Sequence, residues 1–357
     1  YRYATLEAAD LQPGEQVNED GFGDAANSVV STLEVLGGQL YAGTWNNSGA
    51  QVWRTGEGRN WSQFTPAWPP TKTAVLESQV FGAHLYLGTD DEGGGELWRT
   101  DGTTWEQVAT GGFGNGNNWG IDVLAVYSDV LYAVAANNDS GPEIWQSATG
   151  DTGSWSAFHI PELGGAGASI NALEVFDGHL YAGGSKDDLA QLWRTDGVTW
   201  TRIFSDGLAL GNTHVSAMAG FNGNLYIGLR NVTMGGEVWR SSDGLHWIRV
   251  FAGGLGNPDN GRPYGLIVAG DYLYAVLSNT FSGAEVWRTA NGNTWRRTNS
   301  GGWGDTGNTF ADYNDKAATV FRFDLYIGTI NDNGGEVWRL PLARRVYLPM
   351  VLKGYVP

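Results

Sequence analysis

The chain has 357 residues, with 38 acidic against 21 basic side chains and a formal charge of −17. A field of that sign repels phosphate backbones and anionic lipid, which excludes nucleic acid as a natural partner. There is no cysteine, so disulfide frameworks and thiolate metal sites are excluded too, and the apolar run VYLPMVL (346–352) falls far short of a membrane span.

In chain order, residues 1–13 read as an N-terminal arm. The segment GEQVNEDGFGDAAN (14–27) aligns without gaps on WEQVATGGFGNGNN (105–118), which predicts a strand over Glu15–Val17. From there a Leu-Tyr pair recurs at Leu40, Leu85, Leu131, Leu180, Leu225, Leu273 and Leu325. The spacings of 45 to 52 residues define seven units. Each unit has a tryptophan behind the pair, at Trp53, Trp98, Trp145, Trp193, Trp239, Trp287 and Trp338. A second follows in six of them, at Trp61, Trp105, Trp155, Trp200, Trp247 and Trp295.

Within unit 1, STLEVLG alternates apolar and polar residues, and QLYAGTW, AQVWRT and NWSQFT follow, separated by Gly, Asn, Asp and Ser turns. Four short antiparallel strands per repeat make a propeller blade, and no blade buries both faces alone. The fold class is therefore all-β, a seven-bladed propeller over residues 14–340. Unit 7 stops after GGEVWRL, so the predicted strand Glu15–Val17 pairs near Glu336–Arg339 and closes the ring, removing an open sheet edge. Residues 341–357 read as a tail, with Arg344, Arg345 and Lys353 in an otherwise acidic protein.

GGEVWR is spelled twice, at 235–240 and 334–339. Catalysis needs particular groups once, so a glutamate, tryptophan and arginine present in nearly every unit read as a hydrogen-bond lattice. The loops GFGD (21–24), GFGN (112–115), GLGN (254–257) and GWGD (302–305) read as caps with the apolar residue tucked over the blade. The turns RTDGTTW (99–105), RTDGVTW (194–200), RSSDGLHW (240–247) and RTANGNTW (288–295) resemble the Asp-box hairpin of sialidase-type propellers, mostly with one residue fewer around the glycine. That resemblance implies a structural turn away from any active site. Over about 14–340 the chain also resembles Gly- and Trp-rich exported bacterial repeat propellers, and its tail resembles the Tyr-Leu-Pro tails of some of them. This resemblance implies an extracellular or cell-surface location.

Site candidates lie in the loops of one face. Trp45, Trp68 and Trp119 fall outside the repeat positions, and with Asn46, Asn137 and Asp187 they form a candidate glycan surface. Asp90, Asp91, Asp139 and Asp332, interspersed with glycine, are candidate Ca²⁺ ligands. A sialidase-type site requires an arginine clamp. Outside the Trp-Arg pairs, only Arg230 and Arg262 reach this face, with His214 the one histidine there, while His84, His179, His246 and Arg322 fall on the opposite face. The expectation is a non-enzymatic secreted binding or scaffold protein. Two alternatives stay open: a surface polymer subunit self-associating through residues 344–357 or 1–13, and a sialidase-like glycoside-processing enzyme.

Overall fold

The computed structural model describes residues 14–310 and 316–342, so the arm 1–13 and the tail from residue 343 lie outside the described residues. Units 2 to 6 each form a separate four-stranded antiparallel sheet with strands in chain order. Unit 3, for example, runs Gly120–Tyr127, Val130–Ala136, Glu143–Ser147 and Ser156–Ala157. The remaining strands form one nine-stranded sheet, in which unit 1 meets unit 7 through the single pair Val29 with Ile330. Divided there, it contains two more four-stranded groups, and the short strand Thr309–Phe310 also pairs with Asp324–Ile330 in the second. The second group is Ala318–Phe321, Asp324–Ile330, Val337–Pro341 and Glu15–Gln16.

The expected closure is present. Glu15 faces Arg339, Gln16 faces Trp338, and Val17 N donates to the Val337 carbonyl at 2.9 Å. First strands contact one another in a closed circuit, from Val29–Leu36 through Val75–Phe81, Gly120–Tyr127, Ser169–Phe176, His214–Phe221 and Arg262–Ala269 to Ala318–Phe321 and back. This all-β propeller buries its apolar residues between neighbouring sheets. Tyr86, Tyr181, Tyr226, Tyr274 and Tyr326, from the Leu-Tyr pairs, are among its largest fully buried side chains.

The repeated glutamate has a definite partner set. In unit 6, Trp287 Nε1 donates to Glu285 Oε2 at 2.9 Å, and so does Asn260 Nδ2. Asn260 also donates to the Gly254 carbonyl at 2.9 Å, and its Oδ1 accepts from Asn279. Asn279 Oδ1 in turn accepts from the Phe281 and Ser282 amides and so sets its own turn. The same chain of bonds recurs around Gln51, Glu143, Glu237 and Glu336. Burial raises the Glu336 pKa, and the bonds from Trp338 and Asn308 oppose that rise. The arginine reaches outward: Arg54 donates to the Gly102 carbonyl and Arg99 to Asp151, each in the turn of the next unit.

The glycine-flanked loops behave as expected. Phe22, Phe113, Leu255 and Trp303 take φ of 57° to 60°, a left-handed conformation costing about 1–2 kcal/mol. Stacking offsets that cost. Phe22 lies on Trp53 at 5.0 Å, Phe113 on Trp145 at 4.9 Å and Trp303 on Trp338 at 5.0 Å.

Unit 2 departs from the lattice in an informative way. Its preceding loop, TPAWPPTKT, supplies Lys72, which is 2% exposed and bridges Asp91 and Glu96. A lysine–aspartate pair thus replaces the asparagine–asparagine pair of units 1, 3, 5, 6 and 7. Lys72→Met strands two carboxylates and should cost about 3–5 kcal/mol. Lys72→Asn combined with Asp91→Asn rebuilds the neighbours' arrangement and should lose much less. Urea denaturation of both variants checks this, and equal losses would refute the equivalence.

Candidate functional site

The loop-face end of the ring carries one row of comparable positions, where the start of each first strand meets the end of the second. The pairs are Val29 with Trp45, Val75 with Thr89, Gly120 with Ala136, Ser169 with Ser185, His214 with Arg230, Arg262 with Ser278 and Thr309 with Ile330. Among these described pairs, only units 5 and 6 put imidazole and guanidinium groups in the row. His214 Nδ1 lies 2.9 Å from Thr213 Oγ1, which also accepts from Arg230 Nη1 at 3.4 Å. Arg230 forms no ion pair among the described residues, whereas the Arg262 guanidinium lies 4.1 Å over the Tyr264 ring and donates to its hydroxyl at 3.3 Å.

Burial pushes the His214 pKa down to about 4, helped by the charges of Arg262 and Arg230 and opposed by Asp188. The imidazole is therefore neutral at pH 7 and able to accept a proton. The guanidinium groups supply positive charge to hold an anion or a developing oxyanion.

A second titrating group stands on unit 3. Asp122 occupies the bulge between Ile121 and Val123 in the first strand. Its Oδ1 is buried without a hydrogen-bond partner. Burial first, then the charge of Asp90, pushes its pKa up to about 7.

The sequence candidates are placed differently. Asn46 and Asn137 are buried lattice members, donating to Asn27 and Asn118 respectively. Trp68 donates to the Ala50 carbonyl at 3.0 Å and packs edge-on against Trp98 at 5.9 Å, in the role Phe22 has on Trp53. Trp45 is half-buried and packs on the core cluster that contains Val29 and Tyr264. Trp119 is also half-buried, with its Nε1 enclosed. Asp187 lies with Asp188 in a tight hairpin turn at φ of 53° and 58°. These residues do not assemble into one open platform.

The acidic loops do not assemble either. Asp90 accepts from the Thr73 and Ala74 amides, Asp91 pairs with Lys72, and Asp139 and Asp332 belong to turns of units 3 and 7. Among the described residues no group of three His, Asp or Glu side chains is set to hold a metal ion. The Asp101, Asp196 and Asp243 carboxylates accept backbone amides within their own turns, as a cap does. His214, Arg230 and Arg262 were visible in the sequence as separate loop-face residues. Asp122 and Lys72 carried no motif.

No protein-family model and no curated protein sequence matches the chain. Solved structures do match its fold. A catalytically inactive histidine-to-alanine variant of virginiamycin B lyase from Staphylococcus aureus, with quinupristin, superposes with a TM-score of 0.69 at 10% identity, covering 92% of this chain and 99% of that one. The extracellular domain of a putative one-component system from B. thetaiotaomicron gives 0.61 at 16% identity, covering 92% of this chain and 40% of that one. PorZ, a bacterial surface component of the type-IX secretion system of Porphyromonas gingivalis, gives 0.61 at 11% identity, covering 94% and 48%.

These likenesses show the β-propeller fold. They also correct the expectation of a non-enzymatic binding or scaffold protein, because a structure that matches over nearly its whole length is that of an enzyme.

Asp122 gives a signed test. Its folded pKa lies above the ordinary 3.8, so the native state binds the proton more tightly and loses stability as pH rises from about 4 to about 7. Asp122→Asn should therefore leave stability unchanged below pH 4 and raise it above pH 7, by no more than about 4 kcal/mol. Denaturant titrations at the two pH values check this, and a gain at acid pH would refute it.

Proposed function

We propose that this chain is an extracellular enzyme of seven-bladed propeller form, with its reaction centre at the loop-face end of units 5 and 6. In this reading residues 14–340 are the ring, with the arm 1–13 and the tail 341–357 outside it. The neighbours that are extracellular domains or surface components support the location. The observation that carries the proposal is the break in the repeat. The row filled by Val29, Gly120 and Ser169 elsewhere holds His214, Arg230 and Arg262 here.

The reaction class that suits these groups is proton abstraction beside a carbonyl, as in a lyase. Neutral His214 accepts the proton, and the guanidinium of Arg230 holds the carboxylate or enolate oxygen. An anion docking on Arg230 cancels part of the positive field that depresses His214, so the base strengthens when substrate arrives.

Turnover should be sought with carboxylate- and ester-bearing substrates, quinupristin among them. His214→Ala should lower kcat by roughly 100-fold or more, and Arg230→Ala should chiefly raise KM. In the unliganded protein the His214 ring should titrate well below pH 6.5 by NMR and shift upward on adding a small carboxylate. A normal His214 titration, unmoved by any anion, would remove the basis for the proposal.

A further inference from the structure

Five large apolar side chains are exposed in the loops of the face that carries His214: Leu189, Leu210, Val232, Met234 and Phe281. All five belong to units 4, 5 and 6. The corresponding loop tips of the other units are polar, at Asn47 and Ser48, Glu92, Asp139 and Ser140, and Asp332 and Asn333. Leu210 is 96% exposed and Phe281 75%. Side chains of that size left in water on one sector mark a surface that something apolar covers.

The apolar sector is continuous with the cationic one. Asn231, next to Arg230, donates its side-chain amide to the Leu210 carbonyl at 3.1 Å and its backbone N–H to the Gly261 carbonyl at 2.9 Å. Gly261 immediately precedes Arg262, and a Cβ added to it would lie 3.5 Å from Val232 Cα. Met234 N donates to Asn231 Oδ1 at 2.9 Å, which ties the tip of that loop to the same asparagine. Leu210, Val232 and Met234 are thus bound through one residue to the neighbours of both arginines. Phe281 is exposed in the corresponding loop of the next unit, where its backbone N–H donates to Asn279 Oδ1 at 2.9 Å as Met234 N does to Asn231.

We infer that the reaction centre takes an amphiphilic substrate, with a carboxylate or ester head at His214 and Arg230 and an apolar body lying over Leu210, Val232, Met234 and Phe281. This rests on the reaction centre proposed above and names its substrate class. Charge complementarity selects the occupant. A chain of net charge −17 offers an anionic lipid surface little attraction as a whole, whereas a single anionic head needs only the local guanidinium groups. The apolar body then gains affinity in proportion to the area it takes out of water.

The test measures binding of a series of linear carboxylates, from acetate to dodecanoate, by calorimetry on the full chain. Affinity should rise steadily with length, by at least tenfold from hexanoate to dodecanoate. Phe281→Ser combined with Met234→Ser should abolish most of that dependence and leave acetate binding unchanged. Phe323→Ser, an exposed phenylalanine on the opposite face, should change nothing.

Length-dependent binding with no turnover of any substrate would support this inference and sink the proposed reaction. Turnover whose KM ignores the apolar body would support the reaction and overturn this inference. Concentration-dependent dimerisation abolished by the double substitution would mean that a second copy covers the strip, and would also overturn it.

Discussion

An indole N–H donated to a buried side-chain oxygen, which also accepts an asparagine amide, is the bond from which most of the units hang. A glutamate buried alone would protonate or destabilise its surroundings. Here one carboxylate oxygen takes two donors, and the asparagine that supplies one of them also fixes the loop carbonyl before the unit and the turn inside it. One short network therefore holds the third strand, the incoming loop and the neighbouring hairpin in a single geometry. Satisfied networks of this kind specify one arrangement, because any slip leaves several buried polar atoms unpaired at once.

That dependence explains the placement of variation. Within the lattice, substitution comes as a matched set, as where Lys72 and Asp91 take over from two asparagines. Unit 4 abandons the lattice, with Gln191 in the glutamate's place, and its Trp193 Nε1 is enclosed without a partner. The row where first and second strands meet carries Val29, Gly120 or His214 in units 1, 3 and 5, while the lattice beside it keeps the same bonds. A repeat scaffold of this sort separates what must stay constant from what chemistry can change.

Much of the architecture was legible because it is periodic. The alignment of 14–27 on 105–118 put Glu15 in register with Glu106, and the ladders agree: Glu15 faces Arg339 as Glu106 faces Arg99. The loop aromatics were legible from their flanking glycines. The partners of the glutamates were not, since Asn260 lies 25 residues before Glu285 in a loop whose role only the packed ring reveals. The spatial separation of the candidate glycan residues was hidden for a related reason. Trp68 fell outside the repeat in sequence because its loop is irregular, yet in space it packs on Trp98, edge-on where the other aromatic caps stack face to face. The His214 and Arg230 pair was not within reach of register counting, because a bulge between Val215 and Ala217 shifts the ladder by one residue, and counting back from Leu225-Tyr226 puts His214 opposite Asn231. Neither was Asp122, because the bulge that isolates its carboxylate leaves no trace in composition.

The pairing of Glu15–Gln16 with the strand that ends the ring joins segments more than 300 residues apart. During synthesis those residues emerge long before Trp338 exists, so the final sheet stays one strand short until nearly the whole propeller has been made. Units 2 to 6 close their own sheets locally and can consolidate as they appear, whereas this last join has the largest loop-closure entropy of any strand pairing among the described residues. A chain released early, or nicked near its start, would thus hold most of its secondary structure and still present a bare strand edge to its neighbours.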